Sequence, residues 1–187
     1  MAAFGAQYIC FAPIKSEPDT GLPTYSNKVN LGELVKAELT VNLASGEIYG
    51  DDRLVEKVEE FSSGSLSVEV VDMTDEIESK VFGSTYDEQT GLVDKTSDTI
   101  PYGGVGYFKV MMRNGAKSYK AYFYPKAKAA AGTDSANTKS SSITLATTPL
   151  SFTIYEPNDG DWRYRHTFAT KAEAKEWIDS KLGTVTG

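Results

Sequence analysis

The chain has 187 residues, 40% of them apolar, with a net charge of −7, one histidine and one cysteine. That length and apolar share suit one domain whose core needs no disulfide or metal, and the lone Cys10 excludes an intrachain disulfide and leaves a structural zinc site without its usual thiolates. The acidic balance argues against a nucleic-acid binder working through a basic surface, but it is uneven: residues 1–100 carry 7 Lys and Arg against 19 Asp and Glu, and residues 101–187 carry 12 against 7.

The opening residues lack a basic leader with a long apolar run, and no window approaches the roughly 18 consecutive apolar residues of a membrane span. The expectation is a protein made in a reducing cytoplasm, with no membrane anchor and with Cys10 as a buried small hydrophobe. The Pro-punctuated residues 1–34 read as an irregular arm that orders on a neighbour. "VKAELTVNL" then alternates strictly, with Val35, Ala37, Leu39, Val41 and Leu43 on one face, the pattern of a half-buried strand. "ASGE" reads as a turn into a second strand, "IYGDDRLVEKVEEF"; "SSGS" ends it, and Leu66, Val68 and Val70 start a third. "DMTDEIESKVFG" is a short amphipathic helix, with Asp72 or Thr74 as N-cap, acids in the first turn and Gly83 at its stop. Residues 84–101 are polar and turn-rich, with a short edge strand near Leu92.

Residues 107–126, "YFKVMMRNGAKSYKAYFYPK", carry the strongest hairpin signal, because Asn114-Gly115 suits a type I′ turn. The resulting register sets Val110 opposite Tyr119 and Phe108 opposite Ala121 on one face, read as core. Lys109 opposes Lys120, and Tyr107 opposes Tyr122, on the other. The polar run 127–142 is too poor in large apolar residues to pack and reads as a mobile loop. "ITLATTPLSFTIY" and "WRYRHTF" are strands, and "TKAEAKEWIDSKLG" is a helix over 170–182 with Thr170 and Glu173 as a capping box. These elements predict a single α+β domain, mainly antiparallel β. Its sheets form a sandwich or small barrel flanked by a short helix, with a second short helix at the C-terminus.

Few residues carry chemistry. "YGGVGY" leads into a strand rather than a helix, so it reads as a flexible or bulged strand start and not a phosphate loop. "EPNDGD" (156–161) lacks the spacing of a calcium loop. His166 sits mid-strand among arginine and aromatic residues, a poor setting for a triad. No nucleophile elbow, CxxC, HExxH, Walker or dinucleotide fingerprint occurs, so the expectation is a protein that is not an enzyme and has no catalytic, cofactor-binding or metal-binding residue. Two other readings remain: a binding module for carbohydrate or a host surface using Trp162, Tyr164 and Tyr155, and a hydrolase centred on His166.

Like charges opposite each other, as at Lys109 and Lys120, destabilise a sheet unless something acidic covers them. Supplied by another copy of the chain, that cover makes a heterologous contact, the kind that builds rings or filaments. Tyr107, Lys109, Lys120, Tyr122 and Tyr124 are therefore the candidate subunit interface.

The order "LVKAELTVNL…GEIYGDDRLVEKVEEFSSGSLSVEVVDMTDEIESKVFG", continued by "YFKVMMRNGAKSYKAYFYPKAKAA", resembles the major tail (tail tube) proteins of long-tailed, non-contractile bacteriophages of Gram-positive hosts. The resemblance spans roughly residues 30–156 and leaves out the Ala/Ser/Thr-rich loop and the C-terminal aromatic strand and helix. It implies a β-sandwich or barrel with a flanking helix, no catalysis and no cofactor. It further implies hexameric rings stacked into a hollow tube in the virion, assembled in the host cytoplasm around a tape-measure protein between distal-tail and tail-terminator proteins. DNA passes through the lumen without sequence-specific binding, and an acidic wall would keep it from sticking. On this reading Asp51, Asp52, Glu56, Glu59 and Glu60 are candidate lumen acids, and Gly132, Thr133, Asp134 and Ser135 the candidate stacking loop.

Overall fold

The computed structural model describes residues 2–130 and 147–183. Gly132, Thr133, Asp134 and Ser135, with the rest of 131–142, lie outside the described residues, while residues 127–129 of the run read as a loop instead end a strand, with Ala127 and Ala129 buried in the core. The first strand, β1 (Ala2–Ser16), is followed by the two-residue strands β2 (Thr24–Tyr25) and β3 (Val29–Asn30). Then come the long hairpin β4 (Leu34–Gly50) and β5 (Arg53–Val70), helix α1 (Asp75–Phe82), and the small hairpin β6 (Thr85–Asp87) and β7 (Gly91–Val93). The second long hairpin, β8 (Tyr102–Arg113) and β9 (Ala116–Ala129), precedes β10 (Thr148–Ile154), β11 (Tyr164–Phe168) and helix α2 (Lys171–Leu182).

Nine of these strands form one antiparallel sheet in the order β2-β1-β8-β9-β10-β5-β4, with β3 added to β1 and β11 to β9. Strands from along this path share one core: Ile9 and Phe11 of β1, Val105 and Tyr107 of β8, Tyr124 and Ala127 of β9, Phe152 and Ile154 of β10, Leu66 and Val68 of β5. The sheet therefore curls around its own interior while staying open, with no ladder between β1 and β4 among the described residues. A second core lies on the outer side of β1, β8 and β9, where Cys10, Ala12, Phe108, Ala121 and Phe123 meet Ala174, Ile178 and Leu182 of α2. The mainly antiparallel β fold with two short helices is as the sequence pattern predicts.

The two cores overturn two sequence expectations. The first residues are not a free arm: Ile9, Cys10, Phe11 and Ala12 are all fully buried, because β1 pairs with β8 inside the sheet and has a core on each side. The hairpin register is as predicted, including Lys109 opposite Lys120 and Tyr107 opposite Tyr122. Both of its faces are nonetheless core over much of their length, one beneath α2 and the other inside the curl. The Asn114-Gly115 turn has the required positive φ at both residues, 50° and 81°.

The glycines of "YGGVGY" make room for these cores. A Cβ on Gly103 would lie 2.4 Å from the Phe11 ring, one on Gly104 2.6 Å from Leu182, and one on Gly106 2.7 Å from Ile178. The backbone of β8 thus lies against α2 with no side chain between, and the register shifts at Gly103–Val105, the bulge that the sequence pattern suggests. Helix α2 starts on the predicted capping box, Thr170 accepting from Glu173 N–H and the Glu173 carboxylate accepting from Thr170 N–H. α1 has Thr74 at its N-cap position, with no capping bond from the side chain, and ends at Gly83 in the left-handed region.

Burial pushes the Cys10 thiol up to about 11, against the smaller pull of Lys28. Only the thiolate attacks, so the folded protein should leave a thiol reagent unreacted at about pH 8 and consume one equivalent once unfolded. Rapid labelling of the native protein, followed by mass spectrometry, would contradict this packing.

Candidate functional site

The long hairpin departs furthest from its sequence reading. "ASGE" does not turn and "SSGS" does not end a strand: β4 and β5 run past both, and the turn is Asp51-Asp52, with φ of 48° and 58°. A bulge between Asn42 and Leu43 absorbs Ser62, so Asn42 pairs with Ser63 and Leu43 with Phe61. Near its base the hairpin faces the core through Ala37, Leu39, Leu66 and Val68. Beyond it, every residue from Val41 to Glu60 whose side chain is described is exposed. The outer part is a bare two-stranded arm, and such a ribbon is marginal in water unless something packs on it.

This arm is apolar as well as acidic. Leu43 is 54% exposed, Ile48 61%, Tyr49 65%, Leu54 50% and Val55 67%. Opposed residues share a face, so Ile48–Glu56, Gly46–Val58 and Ala44–Glu60 lie on one side, and Glu47–Lys57 and Ser45–Glu59 on the other. The five candidate lumen acids therefore do not form one wall. Glu56 and Glu60 share a face, Asp51 and Asp52 occupy the tip, and Glu59 faces the other way in an ion pair with Lys57 at 2.6 Å.

At the base of the arm, Phe61 stacks on Trp162 with ring centroids 4.0 Å apart and planes 7° apart, and Arg163 lies over Trp162 at 4.5 Å. Alongside is the inner face of the second hairpin. Lys109 sits over the rings of Tyr107 and Tyr122 at 5.9 and 5.5 Å, and Lys120 over Tyr122 at 5.8 Å. Arg165 pairs with Tyr122 across β9 and β11, on that same face. Cation–π contacts of this kind are worth about 0.5–1 kcal/mol each and offset part of the lysine–lysine repulsion. None of Lys109, Lys120, Arg163 and Arg165 forms an ion pair among the described residues.

Of the candidate interface residues, Tyr107 and Tyr124 are buried in this chain's own core and cannot meet a partner from there. Lys109, Lys120 and Tyr122 are half-buried at its edge. Among the described residues the buried Tyr124 hydroxyl has no hydrogen bond of good geometry, and burial pushes it up to about 12 against the smaller pull of the neighbouring Tyr107 hydroxyl. Burial also raises Tyr122, which Arg165 and Arg163 pull back. The sequence reading omitted both arginines, although their alternation with Trp162, Tyr164 and His166 was visible; what it lacked was the pairing of β11 with β9.

The residues of the other readings are engaged elsewhere. Trp162 is covered on Phe61, Tyr164 donates to Asp161 Oδ2 at 3.0 Å beneath Lys181, and Tyr155 meets Tyr102 edge-on. His166 packs against Phe168 and Trp177. "EPNDGD" forms a turn in which Asp161 N–H donates to Asp159. Among the described residues no three His, Cys, Asp or Glu side chains gather as a metal site, and no helix is long and apolar enough to cross a membrane. No protein-family model matches the chain, and no curated protein matches it in sequence.

Proposed function

We propose that the chain is a structural, non-catalytic subunit that polymerises with its own copies into the hollow tail tube of a long-tailed phage. Rings, hexameric by the resemblance, stack around a tape-measure protein and later conduct DNA in the virion. The observation that carries this reading is the arm from Val41 to Glu60, kept extended and exposed with its apolar side chains in water. The tail-tube resemblance over residues 30–156 supplies the identity of the polymer.

The magnitudes favour assembly through several contacts at once. Burying the exposed half of a Val, Leu or Ile is worth about 1 kcal/mol, so docking one arm yields roughly 5–8 kcal/mol. Association alone costs about 4–15 kcal/mol. A single docked arm barely offsets that cost, whereas a ring or a stack engages several arms together. Dilute protein should therefore stay monomeric and polymerise when concentrated or seeded.

Electron microscopy of the concentrated full chain should show hollow tubes of uniform width. Persistent monomers in the presence of tail-initiating proteins would overturn the reading. Saturable binding to a glycan array without any polymer would replace it with the binding-module alternative.

A further inference from the structure

We infer that the acidic tip of one copy's arm docks on the cationic face of the next copy, Asp51, Asp52 and Glu56 meeting Lys109, Lys120, Arg163 and Arg165. This inference rests on the self-assembly reading and names the contact that carries it. Among the described residues none of these seven side chains is in an ion pair. Five ion pairs do form within the chain, Lys36 with Glu38, Lys57 with Glu59, Lys80 with Glu76, Lys126 with Glu17 and Lys28 with Asp179, and other charges such as Arg113, Lys117 and Lys128 also stand outside any ion pair among the described residues. What sets these seven apart is their grouping by sign, the acids toward the tip of the arm and the cations about its base.

The chain cannot join them internally. The cations lie at the arm's base, where Arg163 stacks on Trp162 and Trp162 on Phe61. At about 3.3 Å per residue, the strand from Phe61 out to Arg53 carries the tip roughly 25 Å away. The ladder is continuous over that span apart from the shift beside Tyr49, so the arm does not fold back on its own base. Only another copy can bring a tip to this face.

The two patches also match in kind. Ile48 and Val58 accompany Glu56 on one face of the arm, and Tyr122 and the Phe61–Trp162 stack accompany the cations. A mixed apolar and acidic surface thus meets a mixed aromatic and basic one, and charge selects the partner and the register. Because tip and face are different patches, the contact is heterologous and leaves a free tip and a free face at the ends of every chain of copies. That is the requirement for growth.

The test uses the full-length chain in low salt. Asp51→Lys/Asp52→Lys, and separately Lys109→Glu/Lys120→Glu, should each raise the concentration needed for assembly by about 100-fold or more, since like charges then face each other. Mixing the two variants, or combining all four changes in one chain, should restore assembly to within about tenfold of wild type. Unchanged thermal melting checks that each variant is folded. A second readout needs no mutation. Carbodiimide coupling of carboxylates to amines, in a mixture of isotopically light and heavy wild-type chains, should yield mixed-isotope peptides joining the 51–60 segment to Lys109 or Lys120.

Wild-type tubes that lack these cross-links and tolerate both reversals would overturn the contact and leave the tube reading standing. Cross-linked dimers or short oligomers without tubes would support the contact and overturn the tube. No association at any concentration would overturn both.

Discussion

Replacing Asp179 with alanine should cost about 3–5 kcal/mol of unfolding free energy, because it strands a buried ammonium without its counter-charge. Lys28 is the one charged side chain that is buried among the described residues. Its Nζ lies 2.5 Å from Asp179 Oδ1 of α2, and the Tyr8 hydroxyl donates to that same oxygen at 2.7 Å. Lys28 also reaches the Tyr8 hydroxyl at 3.4 Å and lies 5.8 Å from the ring centroid. Tyr8 itself is held at φ 58°, a conformation costly for a bulky side chain and kept only where its surroundings require it. The triad thus pins α2 to β1 from the side, while the glycines of β8 let the helix settle from above. Urea unfolding of Asp179→Ala should show the loss, and Lys28→Met/Asp179→Leu should recover most of it by removing both charges together. A loss below about 1 kcal/mol in the single variant would mean that water already reaches Lys28, contrary to its burial.

What could be read beforehand was whatever local pattern decides. Asn114-Gly115 fixes a hairpin register because only a primed turn matches strand twist, and the Thr170–Glu173 box fixes a helix start through two backbone bonds. Alternation at Ala37, Leu39, Leu66 and Val68 marks one face of a sheet and cannot say how far the strands continue once the core has ended. Ser45-Gly46 and Ser63-Gly64 look like turns, yet each residue can adopt extended backbone, and the two-Asp turn beyond them wins because Asp tolerates positive φ. β1 was hidden for the converse reason. The prolines at positions 13, 18 and 23 suggest irregular chain, whereas "YICFA" before them is apolar on both faces, the signature of a strand covered on two sides. The candidate site divides in the same way. The lysine pair was legible from the hairpin alone, while Arg163, Arg165 and the Phe61–Trp162 stack depend on strands brought together from distant sequence.

The fold should be lost in alkali in a single cooperative step between about pH 10 and 12, the phenols inside it ionising only as it opens. A free tyrosine titrates near pH 10. Burial pushes Tyr124 up to about 12 and raises Tyr25 and Tyr107 further, while Tyr8 is raised by burial and by its bond to Asp179. A group whose folded pKa lies above its unfolded value lends the fold its full stabilisation below the unfolded pKa. That contribution fades as pH rises from the unfolded value and is gone above the folded one. Stability should accordingly be level on this account from neutral pH to about 10, and fall beyond it. Tyr124 alone accounts for about 3 kcal/mol over that pH interval. With Tyr25 and Tyr107 shifted further, the total reaches the roughly 5–15 kcal/mol that holds an ordinary domain together. Unfolding therefore comes before native titration: the ultraviolet tyrosinate band should rise gradually from surface phenols, then jump together with the loss of near-ultraviolet circular dichroism. A smooth titration of all the tyrosines with the dichroism intact through pH 12 would show that these hydroxyls reach water in the folded protein, and that the curled sheet around Tyr107 and Tyr124 is open where its packing closes it.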